Sequence, residues 1–212
     1  MPPKPHENKV KSVCVFCGSS VGRDPAHAKA ARELGALIGS HGWGLVFGGG
    51  DIGLMGQVAA AAYEEGAAVH GVMPVFLRHL EPPLRRGELL DITPDLQLRK
   101  TRMIGLADAF IVLPGGLGTL DEFFEVVSSA QLGALAKPII AVNTKGYFDP
   151  LRALIDHVVR EGFARENVKS LCKYVATPQA AIAAITPPVA RAGAAASPRP
   201  RSAKAPPRRS RT

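Results

Sequence analysis

Short unbroken apolar runs alternate along this chain with longer segments whose apolar residues recur every third or fourth position. The runs predict strands over 10–16, 44–47, 67–73, 89–92, 109–113, 139–143 and 173–176. The longer segments predict helices. One opens at Pro25 and runs to residue 40, with Ala30, Leu34, Leu37 and Ile38 on one face. Others cover 53–65, stopped by Gly66, then 95–107, 119–135, 149–160 and 178–185. Strands apolar at every position, rather than at alternate ones, suit a parallel sheet covered on both faces. Strand–helix alternation then predicts an α/β protein: an open, doubly wound, mostly parallel sheet, Rossmann-like, in three α/β/α layers. Ligands in such folds sit at the carboxyl ends of the strands. Three glycine-rich turns fall at predicted strand ends: Gly18-Ser19-Ser20, Gly48-Gly49-Gly50 and Pro114-Gly115-Gly116-Leu117-Gly118. Together they predict one shared ligand site.

Composition sharpens this in three ways. With 212 residues and 46% hydrophobic content, the chain has enough material for one core. We expect a single domain over 12–186 between a flexible start, 1–11, and a disordered tail from 187, made of Pro, Ala, Ser and Arg. Of the net charge of +8, the tail carries +7 (Arg191, Arg199, Arg201, Lys204, Arg208, Arg209, Arg211) and the start +2, leaving the predicted domain at −1. A near-neutral folded part lacks a broad nucleic-acid footprint, so no specific nucleic acid is expected, and only the tail would hold anions nonspecifically. No run of 18 apolar residues predicts a membrane span, and the start lacks a secretory pattern, so the expected location is cytoplasmic. Three cysteines make no disulfide framework and fit a reducing compartment. Cys14 and Cys17 have C-x-x-C spacing, but the predicted strand points their side chains to opposite faces, and no second pair completes a zinc site.

The chemistry concentrates after residue 109. A strand runs into Pro114-Gly115-Gly116-Leu117-Gly118-Thr119, and a helix is expected from Thr119. Free amides at a helix start, backed by its dipole, hold an anion. Thr119 would cap the helix or give its hydroxyl to a phosphate oxygen. No Gly-Lys-Ser/Thr follows, so this is not a triphosphate loop, and the first strand's Gly18-Ser19-Ser20-Val21-Gly22 lacks G-x-G-x-x-G spacing. A monophosphate is the simpler ligand. Asp121 and Glu122 are placed in the first helical turn, where the dipole favours carboxylates; Glu122 would complete a capping box with Thr119 or face a bound ribose. Arg99 and Arg102 share a face of the preceding helix, with Lys100 pointing elsewhere. His27, His41, His70, His79 and His157 are scattered, and neither a metal nor a cofactor is expected.

Several of these segments, in this order, resemble the Lonely Guy (LOG) family: Cys17-Gly18-Ser19-Ser20, Val46 through Gly56 with its Gly48-Gly49-Gly50, Arg99-Lys100, and Pro114 through Glu122. Ala130-Gln131-Leu132-Gly133, Lys137-Pro138 and Gly146-Tyr147-Phe148-Asp149 extend the resemblance, which spans about 13–163. It implies a Rossmann-like, dimeric phosphoribohydrolase that hydrolyses the N-glycosidic bond of a cytokinin riboside 5′-monophosphate or AMP, long mislabelled lysine decarboxylase. It assigns Arg99 and Glu122 as the catalytic pair. Gly18, Ser19, Ser20, Gly48, Gly49, Gly50, Arg99, Lys100, Pro114, Gly115, Gly116, Gly118 and Thr119 are the expected substrate and phosphate contacts. The alternative is a non-catalytic carrier of a nucleotide or of a molybdopterin-type phosphorylated cofactor. The chain departs from the common pattern at Leu98 and Ser129, where many members have Glu and Trp.

Overall fold

The computed structural model describes residues 10–79 and 89–186; the basic tail and most of the expected flexible start lie outside them. Seven strands form one sheet: β1 (Ser12–Phe16), β2 (Gly44–Phe47), β3 (Val69–Pro74), β4 (Leu89–Thr93), β5 (Ala109–Val112), β6 (Ile139–Val142) and β7 (Lys173–Val175). Six α-helices alternate with them: α1 (Pro25–Ser40), α2 (Gly53–Glu64), α3 (Leu96–Leu106), α4 (Leu117–Gln131), α5 (Asp149–Arg160) and α6 (Pro178–Ile185).

The strand order is β4-β3-β2-β1-β5-β6-β7, and every pairing is parallel. The chain starts in the middle, winds outward through β4, then returns beside β1 and winds the other way. β1 and β5 therefore flank the topological switch point, where the loops leaving them diverge and open a crevice.

Period-two side-chain direction sorts the core into two layers. Val13, Val15, Leu45, Phe47, Ile111 and Ile140 pack under α1, α2 and α6. Cys14, Phe16, Val46, Phe110, Val112 and Ala141 pack on the other face with Met103 of α3, Phe123 and Val126 of α4, and Leu151 of α5. β5 and β6 are buried at every residue, as their unbroken apolar sequences require. Cys14 and Cys17 fall in opposite layers, as expected of strand geometry, and all three cysteines are free and buried. Burial pushes the Cys172 thiol up to about 12, so it stays protonated near neutral pH.

The element boundaries differ from expectation mainly at α4. It begins at Leu117 rather than 119 and stops at Gln131 rather than 135. Gly133 takes φ +75° just past its end, with Gly133 N donating to Ala130 O (3.1 Å) and Ala134 N to Ser129 O (2.9 Å). That left-handed turn closes the helix although apolar periodicity continues to Leu135. Among the described residues no helix is long and apolar enough to cross a membrane.

Candidate active site

The turns leaving β1 and β5 meet at the switch point. Gly18 N donates to Pro114 O (3.1 Å), and Gly18 O accepts from Leu54 N (2.9 Å) and Met55 N (3.3 Å) at the start of α2. A pocket of about 210 Å³ opens here, lined by Cys17, Gly18, Ser19, Arg99, Glu122 and residues 116–119, with Met55 and Leu77 completing the wall.

The α4 start differs from the sequence expectation in a way that matters chemically. Gly116 is the N-cap, with extended backbone (φ −87°, ψ −158°) and no capping side chain. Thr119 is therefore the third helical residue and caps nothing. No capping box with Glu122 forms, and the first turn holds no acid, which places Asp121 and Glu122 in the second turn. The helix starts two residues early because Leu117 and Gly118 already have helical backbone. The amides of residues 117–119 lack intrahelical partners, and these residues line the pocket.

Gly115 makes this turn possible. A Cβ there would overlap the Thr119 side chain and come within 2.7 Å of Gly18 N. Tyr147 Oη donates to Gly115 O, tying the turn to the segment after β6.

Arg99 reaches the pocket from α3, and its guanidinium is tethered on two sides. Nε donates to Val72 O (3.0 Å) at β3 and Nη2 to Gly48 O (3.3 Å) just past β2. Nη1 lies 3.4 Å from Glu122 Oε1, and the two side chains are only 11% and 8% exposed. A buried ion pair gives little net stability once desolvation is counted. Gly48 is the seat of the arginine: a Cβ there would overlap Nη2. Burial and then the Glu122 charge raise the Cys17 thiol well above its ordinary range, so it stays neutral in the pocket wall.

Other predicted positions stand apart from the lining. Lys100 is absent from it; its Nζ lies 3.1 Å from both Asp121 Oδ1 and Glu125 Oε2. Arg102 shares no work with Arg99, because its Nε bonds Asp91 Oδ2 (2.6 Å) beside edge strand β4. Ser20, Gly49, Gly50 and Pro114 are not lining residues, nor are Leu98 and Ser129, where the chain departs from the common family pattern. Sequence reasoning missed Met55, Leu77 and Tyr147. Met55 lies within a quoted motif, whereas Leu77 sits in a short 3₁₀ turn, 75–79, whose sequence carries no periodic signal.

Fold and site together define a three-layer α/β protein that presents the start of a helix and a buried Arg–Glu pair in one crevice. The family model described as "Possible lysine decarboxylase" matches residues 55–185. The cytokinin riboside 5'-monophosphate phosphoribohydrolase LOG1 of Arabidopsis thaliana is 42% identical over 183 residues, spanning 80% of this chain and 86% of that protein. The cytokinin riboside 5'-monophosphate phosphoribohydrolase LOG of Oryza sativa subsp. japonica is 42% identical over 167 residues, 77% of this chain and 68% of that one. This chain belongs to the Lonely Guy family. Among solved structures it is similar to the molybdenum cofactor binding protein of Rippkaea orientalis, with TM-score 0.64, 21% identity, and coverage of 84% of this chain and 96% of the other. The molybdenum cofactor carrier protein of Chlamydomonas reinhardtii is similar at TM-score 0.63, again 21% identical, covering 84% and 96%. At such identity these two likenesses speak for the fold alone.

Proposed function

We propose that the protein hydrolyses the N-glycosidic bond of a nucleoside 5′-monophosphate, releasing free base and ribose 5-phosphate. The observation that carries this reading is the Arg99–Glu122 pair, 3.4 Å apart and buried beside the free amides of α4. The phosphorylated substrates named for relatives at about 42% identity agree with it.

In this reading the amides of 117–119 hold the 5′-phosphate, with the Thr119 hydroxyl beside them. Phosphate binding is remote from the bond that breaks, so its energy serves to orient the sugar. Departure of the base leaves positive charge on the ribose, as in other glycosidic cleavages. Glu122 stabilises that charge and orients the attacking water, and Arg99 holds the sugar while fixing Glu122. Met55, Leu77 and Leu117 give one wall an apolar character suited to a base or its substituent. A carrier of a molybdopterin-type cofactor gains no specific support, because the resemblance to such carriers lies in the fold.

Purified protein incubated with AMP or an N6-substituted AMP is expected to release free base, read by chromatography, while the matching nucleoside stays inert. Absence of base from every nucleotide would defeat the reading.

We further read the working unit as a homodimer. An apolar groove of about 420 Å³ between α4 and α5 is lined by Phe124, Val127, Leu154, Ile155, Val158 and Phe163. Phe124, Leu154 and Phe163 are 42%, 50% and 87% exposed in the single chain, an unusual cost unless a second copy covers them. Sedimentation is expected to give twice the chain mass of 22.3 kDa; a monomer at micromolar concentration would overturn this. The free buried thiols suit a reducing, cytoplasmic location.

A further inference from the structure

The peptide that links Gly115 to Gly116 has glycine on both sides, so local sterics hold its plane only weakly. Such a peptide turns over easily unless something else fixes it. Its bond is trans, so the Gly115 carbonyl and the Gly116 N–H point in opposite directions. A contact that holds the oxygen therefore also aims the N–H. Tyr147 Oη donates to that oxygen from outside the pocket: Gly116 is a lining residue and Tyr147 is not. Among the described residues Gly116 N donates to no protein group, which leaves it available beside the amides of 117–119.

Tyr147 is itself firmly placed. It follows a 3₁₀ turn (Thr144–Gly146) that packs against α1. Its ring meets His27 of α1 edge-on, with centroids 5.8 Å apart at 75°, and Phe148 at 5.0 Å and 86°. Phe148 is buried in the core, and its backbone N donates to Asn143 Oδ1 (2.7 Å). Asn143 N in turn donates to Val175 O (2.7 Å) on β7. The tyrosine hydroxyl thus reaches the turn after β5 from a segment anchored to the two neighbouring strands. Tyr147 is 40% exposed, so removing its hydroxyl opens no cavity in the core.

We propose that Tyr147 is a positioning residue for the substrate's phosphate: by holding Gly115 O it keeps the Gly116 N–H turned into the pocket, where a phosphate oxygen accepts from it. The proposal rests on the hydrolase reading given above, in which the 5′-phosphate lies at this turn. Without the hydroxyl the peptide samples both orientations, and apparent affinity falls in proportion to the fraction that stays competent. One neutral hydrogen bond biases such an equilibrium by about three- to tenfold.

The test compares wild type and Y147F for binding of AMP and of adenosine by calorimetry, and for base release from AMP. Y147F is expected to bind AMP about three- to tenfold more weakly, with adenosine affinity kept within about twofold. The preference for the phosphorylated ligand therefore falls, which a general loosening of the fold would not produce. For AMP, kcat/KM is expected to fall by at least the same factor, because the phosphate orients the sugar. Equal weakening of AMP and adenosine, or a Y147F protein that does not fold, would make the tyrosine a support of the fold alone and overturn the proposal. Unchanged AMP affinity would overturn it as well. A wild type that binds AMP and releases no base defeats the hydrolase reading, and the comparison of AMP with adenosine still decides the role of Tyr147. A wild type that binds no AMP overturns both.

Discussion

Glu122→Gln is expected to lower kcat for base release from AMP by about 1000-fold or more, with nucleotide affinity kept within about threefold. The substitution keeps the shape of the side chain and removes its charge. In the ground state the sugar is neutral and the phosphate is held by the amides of 117–119, so binding loses little. In the transition state the ribose becomes positive, and a neutral amide offers it far less in a pocket where Glu122 is 7% exposed. Arg99 keeps its tethers to Val72 O and Gly48 O, so the fold is expected to survive, as a thermal melt within a few degrees of wild type would show. Calorimetry with AMP reads the affinity and chromatography the turnover. Full activity in this variant would remove Glu122 from the mechanism.

Gly48→Ala is the second large effect, and it separates the seat of Arg99 from the stability of the fold. The backbone at Gly48 is not in the left-handed region, so alanine is conformationally acceptable there. Its Cβ, however, would overlap Arg99 Nη2 and lie 2.9 Å from Met55 Sδ. Both are ends of flexible side chains and give way, at a stability cost of about 1–3 kcal/mol typical of overpacking. What is lost is the placement of the guanidinium: the bond to Gly48 O breaks and Nη1 leaves Glu122. We expect kcat to drop about 100-fold in a protein that still melts cooperatively. A G48A protein as active as wild type would show that the arginine's seat does not matter.

Much of this architecture was legible from local chemistry. Unbroken apolar runs identified the inner strands, β5 and β6 most plainly, because a strand covered on both faces has no polar side to display, whereas the edge strands β4 and β7 are only partly buried and carry polar residues. The Pro114–Thr119 turn marked the crevice, because its glycines let the backbone come close to the neighbouring turn, and residues 116–119 line the pocket. The start of α4 was less legible: Thr119 looks like a cap, and only the extended backbone at Gly116 transfers that role two residues upstream. The helix end at Gly133 was obscured by apolar residues that continue past it.

By itself the sequence determined the elements, their alternation and the presence of a glycine-rich turn running into a helix, since these depend on side-chain periodicity and on glycine within a few residues. It also marked Arg99 and Glu122, through resemblance. Tertiary structure alone decided which charges meet. Arg99, Lys100 and Arg102 are near neighbours in sequence, yet they reach Glu122, the Asp121–Glu125 pair and Asp91 respectively. Side chains on one helix diverge by 100° per residue, so their partners depend on what the sheet order places beside each face, a property that no short window of sequence contains.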